Sequence, residues 1–187
     1  MRVYILRGLP GSGKTSFSKV LEKSIKDEFG EGVSIIIFNR DEFRKNFIET
    51  CLSGLNSDDT LVAYAKENWT GDAEENYQSS FSNHYVNMVI QKKFQEAVEF
   101  CYFNHRDVVT DMIVDCTMIS MSDILWLVNF WESKWRIDPP WRFYQLEMEF
   151  KSSHDVPESV MSNYRVLKEK TQCYWDKIST RFKYIVK

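Results

Sequence analysis

Apolar positions along the chain recur in two rhythms, runs suited to strands and three-to-four-residue spacings suited to helices, and the two alternate. Arg2 to Arg7 predicts a first strand, followed by a helix from about Lys14 to Phe29 with Phe17, Val20, Leu21 and Ile25 at helical spacing. Gly30 and Gly32 stop that helix. Val33 to Phe38 is apolar except for Ser34 and predicts a buried strand, after which Asp41 to about Ile48 predicts a short helix. The stretch from Cys51 to Ser82 is polar or acidic and weakly periodic, and reads as an exposed, partly helical excursion at about 50–84. A stronger helix is expected from about Tyr85 to Phe103, with Val89, Phe94, Ala97, Val98 and Phe100 available for packing. Val108 to Cys116 predicts another strand, and Ser120 or Ser122 can cap a helix running to about Trp135. Asp138-Pro139-Pro140 breaks that helix, Arg142 to Met148 predicts a strand, and Pro157 suits the first turn of a helix reaching toward Lys170.

Strands alternating with helices imply an α/β fold whose central, mostly parallel sheet is flanked by helices in three layers. Ligands of such sheets gather at the C-terminal ends of the strands. At 187 residues the chain is expected to form a single domain. The apolar fraction of 43% supplies a core, and the apolar cluster Ile124 to Trp131 is far too short to cross a bilayer. The chain opens on strand pattern without the basic segment and long apolar run of a secretory signal, so it reads as soluble and cytoplasmic, in the host cytoplasm if viral, with no membrane partner.

Cys51, Cys101, Cys116 and Cys173 are widely spaced and read as reduced core thiols rather than a zinc site or disulfide framework. The net charge of −3 excludes a uniformly basic surface. Charge is nevertheless segregated: Tyr164 to Lys187 holds seven Lys or Arg against two acidic residues, whereas Glu49 to Ser80 holds seven acidic residues and one Lys. The basic tail is either a polyanion contact or a solvated helix face.

Gly8-Leu9-Pro10-Gly11-Ser12-Gly13-Lys14-Thr15 satisfies the G-x-x-x-x-G-K-[ST] requirement between a strand and a helix. Glycines let the backbone turn its N–H groups onto one polyphosphate, and the following helix adds its positive end. Lys14 is then expected on the β- and γ-phosphates of ATP and Thr15 on Mg²⁺, giving a P-loop NTPase-type fold. Asn39-Arg40-Asp41-Glu42-Phe43-Arg44 follows the second strand, and Asp41 and Arg44, three apart, share a helix face. Asp41 can accept a hydroxyl's proton while Arg44 grips an anion on the acceptor; the other reading is an N-cap aspartate with a surface arginine. Asp115 closes the third strand, placed for Mg²⁺ or the acceptor or simply as a loop cap, while Asp111 precedes further strand residues and is less persuasive.

A basic lid is expected at about 149–156, where Lys151 is a nucleotide-binding candidate and His154 a second. The segment contains no arginine, so Arg165 or Lys168 on the next helix are alternative sources of charge, and an ordinary solvated loop is the other reading. Trp126, Trp131 and Trp135 read as core, Trp141 and Tyr144 as weaker candidates for stacking on a base, and His84 and His105 receive no role.

Taken in order, the phosphate loop, Asn39 to Arg44, Ile113-Val114-Asp115-Cys116-Thr117 and Val156-Pro157 resemble the kinase domain of phage polynucleotide 5′-kinase and related P-loop kinases. The resemblance implies an ATP- and Mg²⁺-dependent transfer of the γ-phosphate to a nucleic-acid 5′-hydroxyl. It places Asp41 as general base, Arg44 on the acceptor's phosphate and Asp115 at the family's D-T-N aspartate, with Thr117 here displaced by one position. The family's lid arginines are missing from the corresponding segment. The excursion before Tyr85 leaves room for a free nucleotide or a hydroxymethylated base in DNA as acceptor. A nucleotide-binding regulatory protein with little transfer activity is the reading from a different class.

Overall fold

A computed structural model of the chain describes residues 1–53, 67–69, 72–117, 120–135, 143–148, 156–179 and 185–186. Its elements run β1 (Arg2–Gly8), α1 (Lys14–Phe29), β2 (Ile35–Asn39), α2 (Arg40–Leu52), α3 (Ala73–Ser82), α4 (His84–His105), β3 (Asp111–Asp115), α5 (Met121–Trp135), β4 (Phe143–Met148), α6 (Glu158–Ser179) and β5 (Ile185–Val186). The chain forms two compact units, one made of Met1–Asn39 with Glu99–Lys187 and the other of Arg40–Val98.

The first unit is built on a five-stranded sheet of order β2-β3-β1-β4-β5, with every pairing parallel. Each parallel link needs a crossover, and crossovers of this kind are right-handed. The link from β1 to β2 runs toward one edge, whereas the links from β3 to β4 and on to β5 run toward the other. Helix α1 is thereby assigned to one face of the sheet and α5 and α6 to the opposite one, giving the three-layer α/β arrangement of the P-loop NTPase type. The direction of winding reverses between β1 and β3, and the crevice at their C-terminal ends is the switch point.

Side chains alternate across the strands, and the packing follows that period. Tyr4 and Leu6 of β1, Ile35 and Ile37 of β2 and Ile113 of β3 pack with Phe17, Leu21 and Ile25 of α1. Val20, expected on that apolar stripe, lies on the solvent side and is 59% exposed. On the other face Arg7 is completely buried, its guanidinium 4.3 Å from the Trp175 ring of α6 and 3.4 Å from the Gln172 side-chain oxygen. The last turns of α4 join this face: Trp126 donates to Glu99 at 2.6 Å and stacks on Phe130, which meets the ring of Tyr102 edge-on.

Several boundaries move from their expected places. The strand expected from Val33 begins at Ile35, because the Ser34 carbonyl is taken by the backbone N–H groups of Thr110 and Asp111. Being an edge strand, β2 is half-buried rather than buried. Val108 and Val109 belong to a turn closed on the His105 carbonyl, so β3 starts only at Asp111. Ser120 rather than Ser122 caps α5, accepting from the Asp123 N–H while its hydroxyl donates to the Asp123 carboxylate. Helix α6 continues to Ser179, well beyond Lys170. Cys173 lies exposed on it, contrary to its expected place in the core, while Cys51, Cys101 and Cys116 are buried and all four are free thiols.

The second unit is helical. Ile48, Val86 and Ile90 form its buried centre, with Phe43, Phe47, Leu52, Trp69 and Tyr77 packed around them. Helix α2 spans Arg40–Leu52, longer than the short helix expected. Helix α3 is capped by Asp72, whose carboxylate accepts from the N–H groups of Glu74 and Glu75. Phe100, expected to pack, is 63% exposed on α4.

Candidate active site

The phosphate loop leaves β1 at Gly8 and enters α1 at Lys14. Gly11 and Gly13 have φ of 73° and 83°, the left-handed region where a side chain is strained, so glycine at these two positions lets the loop curl. A Ser12 N–H to Leu9 carbonyl bond of 3.1 Å closes the turn. Helix α1 is capped by Gly13 without any side-chain acceptor, and its first turn contains no acidic residue of its own. Lys14 is 8% exposed and donates to the carbonyls of Gly8 at 3.1 Å and Leu9 at 2.8 Å and to the Ser12 hydroxyl at 3.4 Å. The loop thus holds the ammonium against itself.

Beside the loop, three strand-end residues meet. Asn39 and Asp115 are in register across β2 and β3, and the alternation that turns Ile37 and Ile113 toward α1 turns both of them the same way. Thr15 donates its hydroxyl proton to Asp115 Oδ2 at 2.7 Å. Asn39 Nδ2 donates to that same oxygen at 2.6 Å and to the Thr15 hydroxyl oxygen at 3.1 Å. Asp115 is 3% exposed, so these two donors stabilise its charge where water does not. With its proton committed to Asp115, the exposed Thr15 oxygen offers lone-pair density outward.

That donor set suits Mg²⁺, which takes oxygen ligands, keeps several waters and shares its coordination with phosphates instead of requiring a cage of side chains. Among the described residues no group of three or more His, Cys, Asp or Glu side chains is placed to hold a metal by itself. Asp111, at the opposite end of β3, is structural: Arg2 donates to both its oxygens, at 2.5 and 2.8 Å, and Thr110 donates to one at 2.8 Å.

In the second unit Asp41 is exposed in the first turn of α2, and Arg44, on the same face, is 3% exposed. Arg44 donates to the Ser80 hydroxyl at 2.9 Å and to the Asn87 side-chain oxygen at 2.5 Å, and its guanidinium lies 4.1 Å from the Phe81 ring centre. The surface-arginine reading of Arg44 is therefore excluded by its burial. Lys151, His154 and Trp141 lie outside the described residues, as does most of the expected lid. Arg165 is on the exposed N-terminal half of α6, paired with Glu158 at 2.6 Å.

Asn39 stands in the motif quoted from the sequence but carried no assigned role there. Its role depends on strand register, for which the chain offers no local signal.

The glycine turn and the buried lysine lie between β1 and α1 at the C-terminal ends of the parallel strands, where ligands of such sheets gather. No family model matches the chain, and no curated protein matches it. Among solved structures it is similar to a cysteine-to-alanine mutant of the Mycobacterium tuberculosis APS kinase CysC, at 13% identity and a TM-score of 0.44, over 91% of this chain and 96% of that one. No helix among the described residues is long and apolar enough to cross a membrane.

Proposed function

We propose that the protein is a Mg²⁺- and ATP-dependent phosphotransferase that moves the γ-phosphate of ATP to a 5′-hydroxyl of DNA or RNA. The observation that carries this reading is the joined Thr15, Asn39 and Asp115 beside the buried Lys14, a donor site from which the chain passes directly into Asp41 and Arg44. The loop N–H groups and Lys14 bind the polyphosphate, and Lys14 exchanges its loop carbonyls for phosphate oxygens. Thr15 would hold Mg²⁺, which when bound screens the charge of the phosphates. Asp115, through Thr15 and Asn39, keeps that hydroxyl oriented. Asp41 accepts the acceptor hydroxyl's proton as the new O–P bond forms and the bond to the β,γ-bridging oxygen breaks, the electron pair leaving with ADP. Arg44 holds a phosphate of the acceptor.

The choice of a 5′-hydroxyl rests on the Asn39 to Arg44 motif and its family resemblance. Labelled ATP offered with 5′-hydroxyl DNA, 5′-hydroxyl RNA, nucleosides and hydroxymethyl-base DNA tests it. Label on a polynucleotide 5′ end is expected; label confined to nucleosides or modified bases refutes the acceptor and retains the kinase. Asp41→Asn is expected to lower kcat by about 10²- to 10⁴-fold with ATP binding intact. ATP binding without turnover on any acceptor would instead support a regulatory nucleotide-binding protein.

A further inference from the structure

The side chain of Asn39 turns its nitrogen toward the strand-end cluster. An ionised carboxylate only accepts, and an amide carries two N–H donors, so the group set against Asp115 has to be the NH₂. Its two hydrogens serve two acceptors, Asp115 Oδ2 at 2.6 Å and the Thr15 hydroxyl oxygen at 3.1 Å. An amide nitrogen has no lone pair to give a cation, so through this atom Asn39 orients other groups and does not itself ligate a metal.

For Thr15 the consequence is directional. A hydroxyl oxygen has one proton and two lone pairs. The proton goes to Asp115 at 2.7 Å and one lone pair takes the Asn39 N–H, so one lone pair remains after the hydroxyl's contacts with the described residues. Asp115 alone would fix the proton and leave the two lone pairs equivalent; Asn39 removes that ambiguity. A threonine in a helix otherwise divides between two rotamers, one of which turns the hydroxyl back to a carbonyl of its own helix. Thr15, the second residue of α1, is bonded instead to the ends of β2 and β3, and it is exposed.

Cations differ in how strongly a fixed direction favours them. Mg²⁺ demands near-ideal octahedral geometry at about 2.0–2.1 Å, whereas Ca²⁺ accepts about 6 to 8 oxygens in flexible arrangements at about 2.3–2.6 Å. A ligand aimed in advance therefore helps the stricter ion more than the looser one.

We propose that Asn39 is a positioning residue that aims the remaining Thr15 lone pair and thereby favours Mg²⁺ over Ca²⁺ in the nucleotide complex. Resting on the phosphotransferase reading above, this role adds a residue of β2 to the determinants of which cation accompanies the donor.

Calorimetric binding of the β,γ-imido analogue of ATP, in Mg²⁺, in Ca²⁺ and in EDTA, separates this role from a structural one without requiring turnover. For each cation the readout is the gain in affinity over EDTA. Asn39→Ala is expected to cut the Mg²⁺ gain about tenfold and the Ca²⁺ gain about twofold or less, with affinity in EDTA unchanged. Thr15→Val removes the hydroxyl, and N39A is expected to add less than about twofold to the loss in that background. Asn39→Ser, whose single hydroxyl hydrogen cannot serve two acceptors, is expected to behave as N39A does and takes its place if the alanine variant does not fold. Equal losses with both cations, an undiminished Mg²⁺ gain in a folded variant, or a parallel loss in EDTA overturns the proposal and leaves the phosphotransferase reading standing. Wild-type protein that binds the analogue with no Mg²⁺ gain overturns the metal role of Thr15 together with this proposal. Wild-type protein that binds it in none of the three solutions overturns the nucleotide reading itself.

Discussion

Changing Asn39 to aspartate tests the strand-end cluster through a single atom pair. The Asn39 amide nitrogen donates to Asp115 Oδ2 at 2.6 Å, and Asn39→Asp would put a second carboxylate against the first. Two unit charges about 3 Å apart repel by about 5 kcal/mol at an effective dielectric of about 20. The pair can escape by taking up a proton, which for a carboxyl of ordinary pKa near 4 costs about 4 kcal/mol at pH 7, so protonation caps the penalty. Asn39 is only half-buried, and water screening reduces the expected loss to about 2 kcal/mol at pH 7. The sign with pH is definite. The shared proton raises the folded-state pKa above the unfolded value, so the folded state binds more protons and stability falls as pH rises from about 4 through the raised pKa. Urea unfolding of wild type and N39D between about pH 5 and 8, without nucleotide, should therefore show a deficit that grows with pH, by at most about 1.4 kcal/mol per unit. Added Mg²⁺ should reduce it by bridging the carboxylates. A deficit below about 0.5 kcal/mol, within the range of ordinary surface substitutions, or one equal at all pH values, would refute the contact between Asn39 and Asp115.

At the other end of β3, Arg2→Ala should cost about 3 kcal/mol in urea unfolding, because it strands the fully buried Asp111 carboxylate. Adding Asp111→Asn should recover much of that loss, and a double variant no more stable than the single would show that the pair is not the cause. A thiol reagent should modify only Cys173 quickly in the native protein and all four cysteines in denaturant, since burial pushes the Cys101 thiol up from its ordinary range and Cys51 and Cys116 are also covered. Rapid native labelling of more than one thiol would contradict that packing.

Local signals located the phosphate loop, α1 and Asp115 because glycines, helical spacing and a strand-terminal carboxylate are written in neighbouring residues. They did not locate where β2 and β3 begin, since Val33, Val108 and Val109 are as apolar as the residues after them. What excludes them is the pairing of Thr110 and Asp111 with Ser34, a contact across 76 positions. The same limit hid Asn39, whose partner is set by register. Faces were harder than elements: Val20 and Phe100 fit helical spacing yet point to water, because spacing fixes relative angle and not which side is covered. The overrun of α6 was legible in principle, as no glycine or proline follows Lys170.

The bare N-terminus of α1 has a consequence for how stability and affinity trade. Helices most often begin on Ser, Thr, Asp or Asn, whose side chains accept from the first turn, and glycine in that place costs a few tenths of a kcal/mol. Here Gly13 starts the helix in a backbone conformation that other residues rarely adopt, and no side chain caps it, so the resting protein carries an unfinished helix. In the proposed reaction the donor's phosphate completes it. Folding and donor binding would then draw on the same backbone N–H groups, and the nucleotide would serve as the last structural component as well as the substrate. Thermal protection by ATP would report the finishing of α1, and any redesign that finished the helix from within would harden the empty protein at the expense of its appetite for phosphate.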